Sequence, residues 1–465
     1  MEWFKIKSEK NQDLLVVNNY IHRIDRKRGD NEYYKCVDNC GGRAIVKHSN
    51  IVVTSKPHNH GTHGFELAER GFRNKLKDVV TLNPTKPVPQ AFNEVRRSVI
   101  TSGLQGSSQN EVYSSIPTLN SVRSSSYRKK MKLIPKLPNK LRDLIINGEW
   151  LCTNDGRDFL LGSDGDDDKI VIFGTEGFLR RLCTAEVVFM DGTFKSAPKL
   201  FLQIYTLHCF VQGILVPMAY ALLPNKTSAT YNRMFNLIKE AAIRIDLIFN
   251  PKCFQIDFEI GMIMAIKELF GHQTKIKGCL FHFGQSIWRK VQNVGLSEEY
   301  KNNAEVKLTV RRICALALVP IDTIDECWTT IHAQAPNNEN LTKLMDYFVD
   351  TYLNYDVCHF HRKMWNHFET EGSRTINHLE GWHAALNRAV NRHRPNIYIL
   401  INEIKNQQQN FELDISSQSR GNPKPKPSLK FRKLEEQLKN VKEKLKENEI
   451  SLMEYIDTIK YHIRL

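Results

Sequence analysis

Apolar positions in the first sixty residues alternate with polar ones or come in short β-branched runs. Leu14–Val17, Tyr33–Cys36, Arg43–Val46 and Ile51–Thr54 have this texture, which predicts half-buried strands. Lys27-Arg28-Gly29-Asp30 and Asn39-Cys40-Gly41-Gly42 punctuate them as turns. Phe65–Val79 shifts to helical spacing, and Asn83-Pro84-Thr85-Lys86-Pro87-Val88-Pro89 then breaks the chain. Thr101–Ser126, rich in Ser, Gly and Asn, predicts a linker. Beyond Trp150 a second pattern begins. Strand-like runs at Ile170–Phe173, Glu186–Met190, Phe201–Phe210 and Ile214–Leu223 lead into a helical stretch, Ala229–Ile245. Strand Cys253–Asp257, helix Gly261–Phe270, strand Lys275–Phe281 and helix Gly284–Val294 follow, and residues 300–370 carry helical spacing. A strand meander followed by alternating α and β predicts an α/β core with a helical insertion. Behind the breaker Asn422-Pro423-Lys424-Pro425-Lys426-Pro427, a heptad seam collects Leu434, Leu438, Val441, Leu445 and Leu452, with Asn448 at one polar position. So short a seam suits either a coiled coil or an amphipathic helix docked on the domain.

Composition sharpens this picture in two respects. The chain has 465 residues, 41% of them apolar and 25% charged. These values exclude a wholly disordered chain, a collagen-like fibre and a disulfide miniprotein, and the length suits about three domains. The 66 Lys+Arg against 51 Asp+Glu leave a formal charge of +15, which favours a polyanionic partner, nucleic acid first. Part of that charge is a cluster of Arg128, Lys129, Lys130, Lys132, Lys136, Lys140 and Arg142. Apolar runs such as Ile214–Pro224 fall short of the roughly 20 residues a spanning helix needs. The opening Met-Glu-Trp-Phe-Lys lacks the apolar stretch of a secretory signal, so the ten scattered Cys are expected to be reduced thiols or metal ligands.

Cys36-x3-Cys40 is followed, after a strand-like gap, by His58-x-His60. Two thiolates and two imidazoles are the ligand set of a tetrahedral structural zinc site. A strand-rich unit of this size has little core of its own, so a metal staple is physically motivated. The bland alternative is two incidental Cys and a polar His-rich loop. Phe4–His60 resembles a FLYWCH zinc finger, through the N-terminal aromatic, Val17-Asn18-Asn19-Tyr20, the Cys pair and the closing His-x-His. Tyr34 stands where the family carries Trp, and the gap between the Cys residues is short for it. The resemblance implies Cys36, Cys40, His58 and His60 as ligands, and DNA binding or protein contact.

Three acids stand out farther on. Asp191 is expected to end the apolar strand Val187-Val188-Phe189-Met190, and Asp257 the strand Cys253-Phe254-Gln255-Ile256. A carboxylate at the end of a buried strand is costly unless it is paired or binds metal. Glu380 sits at the edge of a helical stripe of Leu379, Trp382/His383, Leu386 and Ala389/Val390. Three such carboxylates could hold two Mg²⁺ for phosphodiester displacement, whereas each alone is more simply a cap or a solvated charge. Ile170–Arg392 resembles the catalytic domain of a Mutator-like (MULE) transposase. The resemblance rests on Asp191-Gly-Thr-Phe-Lys-Ser-Ala-Pro-Lys-Leu-Phe-Leu-Gln-Ile-Tyr-Thr-Leu-His208, Pro217-Met-Ala-Tyr-Ala-Leu-Leu-Pro224, Asp257-Phe-Glu259, Gly278-Cys-Leu-Phe-His-Phe283 and Leu379-Glu-Gly-Trp-His383. It implies an α/β fold with a ribonuclease H-like core, a helical insertion before the last acid, and a catalytic triad of Asp191, Asp257 and Glu380 using Mg²⁺ or Mn²⁺.

Cys279-Leu-Phe-His282 matches a further signature of such transposases, yet it is only half a zinc site. His383, Cys358, His359 or His361 could complete it; the simpler reading makes Cys279 a core residue and His282 an orienting one. Cys279, His282 and His383 are thus candidates for a supporting role. The expected division is a finger over residues 1–64, a helical segment and basic linker over 65–149, a catalytic domain over 150–400 with its insertion near 296–372, and a charged helical tail over 401–465. The expected function is a nuclear transposase, compatible with a homo-oligomer, that cuts and joins double-stranded DNA, with Lys195 and Lys199 as phosphate contacts. The rival is a domesticated, non-catalytic binder using the finger. A simple ribonuclease H-type nuclease is disfavoured by the insertion and the finger.

Overall fold

A computed structural model describes residues 2–8, 12–47, 51–54, 56–104, 107–354, 358–390, 393–420 and 429–463. The chain forms two compact units, Met1–Lys136 and Leu137–Leu465.

In the first unit, β1 (Trp3–Lys7), β2 (Asp13–Val17), β3 (Tyr20–Arg28), β4 (Asn31–Cys36), β5 (Arg43–Lys47) and β6 (Ile51–Thr54) form an antiparallel meander, each strand beside the next. Asn18 and Asn19, both at positive φ, make the two-residue turn between β2 and β3 that suits the twist of a hairpin. Leu15, Val17, Tyr34, Ala44 and Val46 form a small core on one face, and Leu14, Val16 and Ile21 pack with Leu67 on the other. The apolar pattern did not predict β1 or β3. From Arg23 to Arg28 the side chains of β3 are exposed, so beyond the buried Ile21 and His22 it is ladder pairing, there with β4, that fixes this strand.

Four helices follow: α1 (Gly64–Leu82), α2 (Val88–Ser102), α3 (Gln109–Ser115) and α4 (Leu119–Leu133). They close on Phe72, Leu76, Phe92, Val95, Val112 and Val122. The expected linker over Thr101–Ser126 is therefore corrected: much of it is helical. Its polar residues are caps. The Ser108 side chain and Glu111 form a capping box, and Thr118 accepts from the Ser121 amide. One buried Val on each helix, Val112 and Val122, supplies the anchor.

The second unit is built on β7 (Leu160–Asp164), β8 (Ile170–Phe173), β9 (Val187–Thr193), β10 (Gln203–Val211), β11 (Ile214–Leu223), β12 (Cys253–Ile256) and β13 (Lys275–Gly278). Their order across the sheet is β13-β12-β9-β10-β11-β8-β7. β9, β10 and β11 are an antiparallel meander, whereas β12 runs parallel to β9 and β13 parallel to β12. Between strands lie α5 (Glu176–Thr184), α6 (Ser228–Ile243) and α7 (Ile260–Phe270), and α8 (Leu280–Asn293) follows β13. Val188, Met190, Phe235, Phe254 and Met262 are fully buried between sheet and helices.

Two boundaries differ from expectation. β9 runs on to Thr193, so Asp191 lies inside a strand, opposite Thr206, rather than ending one. The strand expected to reach Phe281 stops at Gly278. There the Cys279 amide makes the last ladder bond, to Ile256 O at 2.8 Å, and the Leu280 amide then donates to Arg374 O at 3.0 Å, which takes the backbone out of the ladder. Phe283, Ile287 and Val291 then bury one face of α8.

The insertion comprises α9 (Ser297–Asn302), α10 (Ala304–Ala315), α11 (Ile324–Ala333), α12 (Glu339–Phe348) and α13 (Arg362–Trp365). Phe283 stacks on Trp365 with centroids 5.4 Å apart, which ties α8 to the insertion. After it come α14 (Asn377–Val390), α15 (Ile397–Ser419), α16 (Leu429–Lys446) and α17 (Leu452–Ile459). The Pro-Lys breaker at 422–427 lies outside the described residues. The heptad seam does not continue as one helix, because α16 stops at Lys446 and Asn448 takes a left-handed φ of 60°. Leu438 is buried in the main core and Val441 and Leu445 pack against it. Beyond α15, the tail is thus a docked pair of helices rather than a single charged helix.

Candidate metal centre and acidic site

In the first unit, Cys36 ends β4 and Cys40 lies in the turn to β5. Asn39 and Gly41 at positive φ fold that turn tightly, and the Asn39 amide donates to Cys36 O at 3.2 Å. His58 and His60 follow β6. Cys36 Sγ lies 3.3 Å from His60 Nε2, Cys40 Sγ 3.2 Å from His58 Nδ1, and the two imidazole nitrogens are 3.3 Å apart. A zinc tetrahedron with bonds of about 2.0 Å to nitrogen and 2.3 Å to sulfur has edges of roughly this length, so the four residues fit the ion. Burial pushes the Cys36 thiol up, and a thiolate there needs a cation beside it.

The supporting contacts select the ligand atoms. His60 Nδ1 is 2.8 Å from Gly61 O, which holds the proton on Nδ1 and leaves Nε2 for metal. His58 stacks on Tyr20 at 3.8 Å. A Cβ on Gly42 would come within 2.5 Å of the His58 ring, so glycine makes room for that imidazole. A second, overlapping group adds Asp38 and His63 to Cys36 and His60. His63 is already committed: its Nδ1 accepts from the Ile21 amide at 3.2 Å and its Nε2 meets Asp38 Oδ2 at 3.0 Å. Cys36, Cys40, His58 and His60 are the set left free to share one ion.

In the second unit the parallel register pairs Gln255 with Phe189. Carried two residues on, it sets Asp257 beside Asp191. Burial pushes the Asp257 carboxyl up to about 7, and the charges of Asp191 and Glu259 add to this. A carboxylate so crowded by its own kind fits a site that takes a hard cation. Asp191 Oδ1 accepts from the Gly192 amide at 2.8 Å. Its Oδ2 lies 3.4 Å from His383 Nδ1 on α14. Behind His383, Thr206 Oγ1 is 3.4 Å from its Nε2, and His208 Nε2 is 2.9 Å from Thr206 Oγ1. Burial holds His208 neutral. Glu380, half-exposed on the same helix, faces His282, with Nε2 to Oε1 at 3.5 Å. The helical stripe of Leu379, His383, Leu386 and Val390 is buried, with Ala389 outside it.

The structure thus sets Asp191 against Asp257 and His383, and Glu380 against His282, with Glu380 and His383 three residues apart on α14. Among the described residues, the groups with ligand atoms within 4.8 Å of one another are both in the finger, so the three acids are more widely set than a single ligand shell. Cys279 does not join His282 in such a group. Its buried sulfur accepts the Ile376 amide at 3.2 Å and packs with Phe189, Ile376 and Leu379, which is the core reading. Residue patterns missed Glu259, Thr206 and His208. Glu259 accepts from the Tyr231 hydroxyl at 2.7 Å, which in turn accepts from Gln203 Nε2 at 2.9 Å. The Thr-x-His spacing puts that pair on one side of β10 and could have flagged it, and the Asp-x-Glu spacing marks a second acid just past β12.

Of the basic residues, Lys195 and Lys199 are exposed. Lys130 is instead buried, donating to Thr85 O at 3.0 Å and Lys86 O at 2.9 Å. It is a clasp on the proline-rich turn. No described helix is long and apolar enough to cross a membrane.

Two family models match stretches of the chain. No curated protein and no solved structure matches the chain. Residues 5–60 match the FLYWCH zinc finger domain and residues 187–286 the MULE transposase domain. The first match encloses the Cys/His cluster; the second holds Asp191 and Asp257 and ends before Glu380. Sequence, geometry and comparison converge on one architecture: this chain carries a FLYWCH zinc finger domain followed by a MULE transposase domain.

Proposed function

We propose that the protein is a DNA transposase that cleaves and joins strands at a site built from Asp191, Asp257 and Glu380. The observation that carries this reading is the buried Asp257 carboxyl, pushed up beside Asp191 and Glu259. Such a cluster is unstable alone and is stabilised by divalent cations. The strand order, with an antiparallel meander flanked by two parallel strands, supports a ribonuclease H-like core. The helices from α9 to α13 supply the all-helical insertion. We divide the chain as finger 1–64, connecting segment 65–149, catalytic domain 150–400 and tail 401–465.

Asp191, Asp257 and Glu380 would hold Mg²⁺ or Mn²⁺, which supplies Lewis acidity to the attacking and leaving oxygens when bound. The chain's own residues prepare the site. His383 orients Asp191, with Thr206 and His208 fixing its far nitrogen. His282 steadies Glu380. Lys226, 3.7 Å from Glu259 Oε2, offsets the excess negative charge. The zinc finger staples the N-terminal sheet, and the +15 net charge favours approach to DNA in the nucleus.

The test is metal-dependent nicking of a supercoiled plasmid by the full chain. Mn²⁺ or Mg²⁺ should support it and Ca²⁺ should not, because Ca²⁺ tolerates loose coordination that does not enforce in-line displacement. Binding without nicking under all metals would sink the catalytic reading and leave the domesticated binder.

A further inference from the structure

Beyond the core of Leu14, Val16 and Ile21, the same face of the finger's sheet opens to solvent, away from the zinc centre. On that face the register aligns one cation from each of three neighbouring strands. Arg23 on β3 pairs with Lys35 on β4, and Lys35 with Arg43 on β5. At about 4.8 Å between strands, the row spans roughly 10 Å. One step along the sheet, Arg26 lies opposite Tyr33, with its guanidinium 5.1 Å from the ring centroid. Arg23, Arg26 and Arg43 are exposed and Lys35 is partly so.

Like charges directly opposite one another destabilise a sheet, so this row needs a reason. Part of the cost is offset by Asp25, the extra residue of a β-bulge in β3. Its two oxygens reach Lys35 at 3.1 Å and Arg43 at 3.4 Å. Arg23 donates to Asn39 Oδ1 at 2.8 Å. These contacts hold the cations in place before any partner arrives, which lowers the ordering cost of binding. One acid among four cations leaves the face strongly positive.

We infer that this face, centred on Arg23, Lys35 and Arg43, is a docking surface for the phosphate backbone of duplex DNA. The inference rests on the DNA-acting reading above and names a surface for it. Protein interfaces concentrate apolar and aromatic anchors and are depleted of charge at their centre. Here the centre is charged, as nucleic-acid interfaces are. Unpaired strands are gripped by bases stacking on aromatic rings, and Tyr33 already carries Arg26 over its ring. Cations fixed in a row suit a backbone read by charge, with no demand on base sequence.

The experiment uses the full chain and a fluorescent duplex, with binding measured by anisotropy over a range of salt. In the R23Q/K35Q/R43Q variant, the slope of log affinity against log salt should flatten by about 2 to 3, since each lost phosphate contact removes roughly 0.9. Zinc content should stay at the wild-type value, which reports that the finger is still folded. The variant R128Q/K129Q/K132Q on α4 should move the slope less. An unchanged slope in the first variant, with wild-type binding intact, overturns this surface and leaves the DNA-acting reading standing. Tighter binding to single strands than to duplex, lost in the same variant, also overturns it. A wild-type chain that binds no duplex at any salt overturns both.

Discussion

The two candidate sites are opposites in construction. The zinc centre draws four ligands from a span of 25 residues, Cys36 to His60, and one hairpin turn with one closing loop brings them together. The acidic site draws on β9, the end of β12 and α14, with Asp191 and Glu380 separated by the whole insertion. The first is held by its own ligand atoms at 3.2 to 3.3 Å. The second is held by neighbours, namely His383, His282 and the β9–β12 register. A local site therefore stands or falls with its ion. A distributed site stands with the fold and loses only its chemistry when a member is removed.

The largest expected effect tests that difference directly. Stripping zinc from the full chain, or the Cys36→Ser substitution, should unfold the N-terminal sheet, because structural zinc contributes roughly 10–16 kcal/mol of apparent binding energy to small fingers. Circular dichroism and limited proteolysis of residues 2–60 would read it, and a protected, metal-free sheet would break the contrast. Next, Asp191→Asn or Glu380→Gln should lower strand cleavage by about three orders of magnitude or more, since members of such a site act as a unit. Thermal stability and duplex affinity should stay close to wild type. Unfolding on either substitution would make the acidic site as fold-dependent as the finger.

A third prediction concerns pH. The Asp257 carboxyl, raised to about 7, holds its proton longer in the folded chain than in the unfolded one. Its protonated form therefore favours folding fully below about pH 4, and that contribution is lost as pH rises towards 7. Between those limits the metal-free wild type should lose on the order of a few kcal/mol that Asp257→Asn retains. Denaturant melts at pH 5 and pH 8 would show it, and Mg²⁺ should restore the wild type at pH 8. Equal pH dependence in both proteins would show that the acids do not crowd one another.

Two smaller effects sharpen the comparison. Gly42→Ala should weaken zinc binding by about 10- to 100-fold, as loss of support around a ligand does, because the added Cβ meets the His58 ring. Competition with a chromogenic chelator measures this. Lys130→Met should destabilise the N-terminal unit by about 1–3 kcal/mol, by removing the buried hydrogen bonds from Lys130 to the Thr85 and Lys86 carbonyls. It should leave the salt dependence of DNA binding as it was.

The same contrast explains what the sequence made legible. The strands of the meander, the α/β alternation and the helical insertion could be read because burial imposes period on apolar residues. The Cys and His ligands could be read because their spacing is local. β3 could not, because beyond Ile21 and His22 pairing and not burial sets it. Helices α3 and α4 were hidden by Ser and Thr acting as caps, which mimic a linker in composition. The extension of β9 through Asp191, and the Thr206–His208 support behind His383, depend on strand neighbours that no spacing rule encodes. Lys130 looked like a surface charge because charge along a sequence does not reveal which side chain turns inward.

The Cys279 sulfur and the Leu280 amide bond to Ile376 and Arg374, residues that lie beyond the insertion. Those two bonds pin the ends of a long excursion side by side. Loop closure grows only with the logarithm of length, so the length of the surface loops between the pins adds little to the cost of joining them. What must be kept is the clasp, because it sets where α14 starts and hence where Glu380 arrives. The excursion can thus vary in the length of its surface loops while the clasp keeps the start of α14, and with it Glu380, in place.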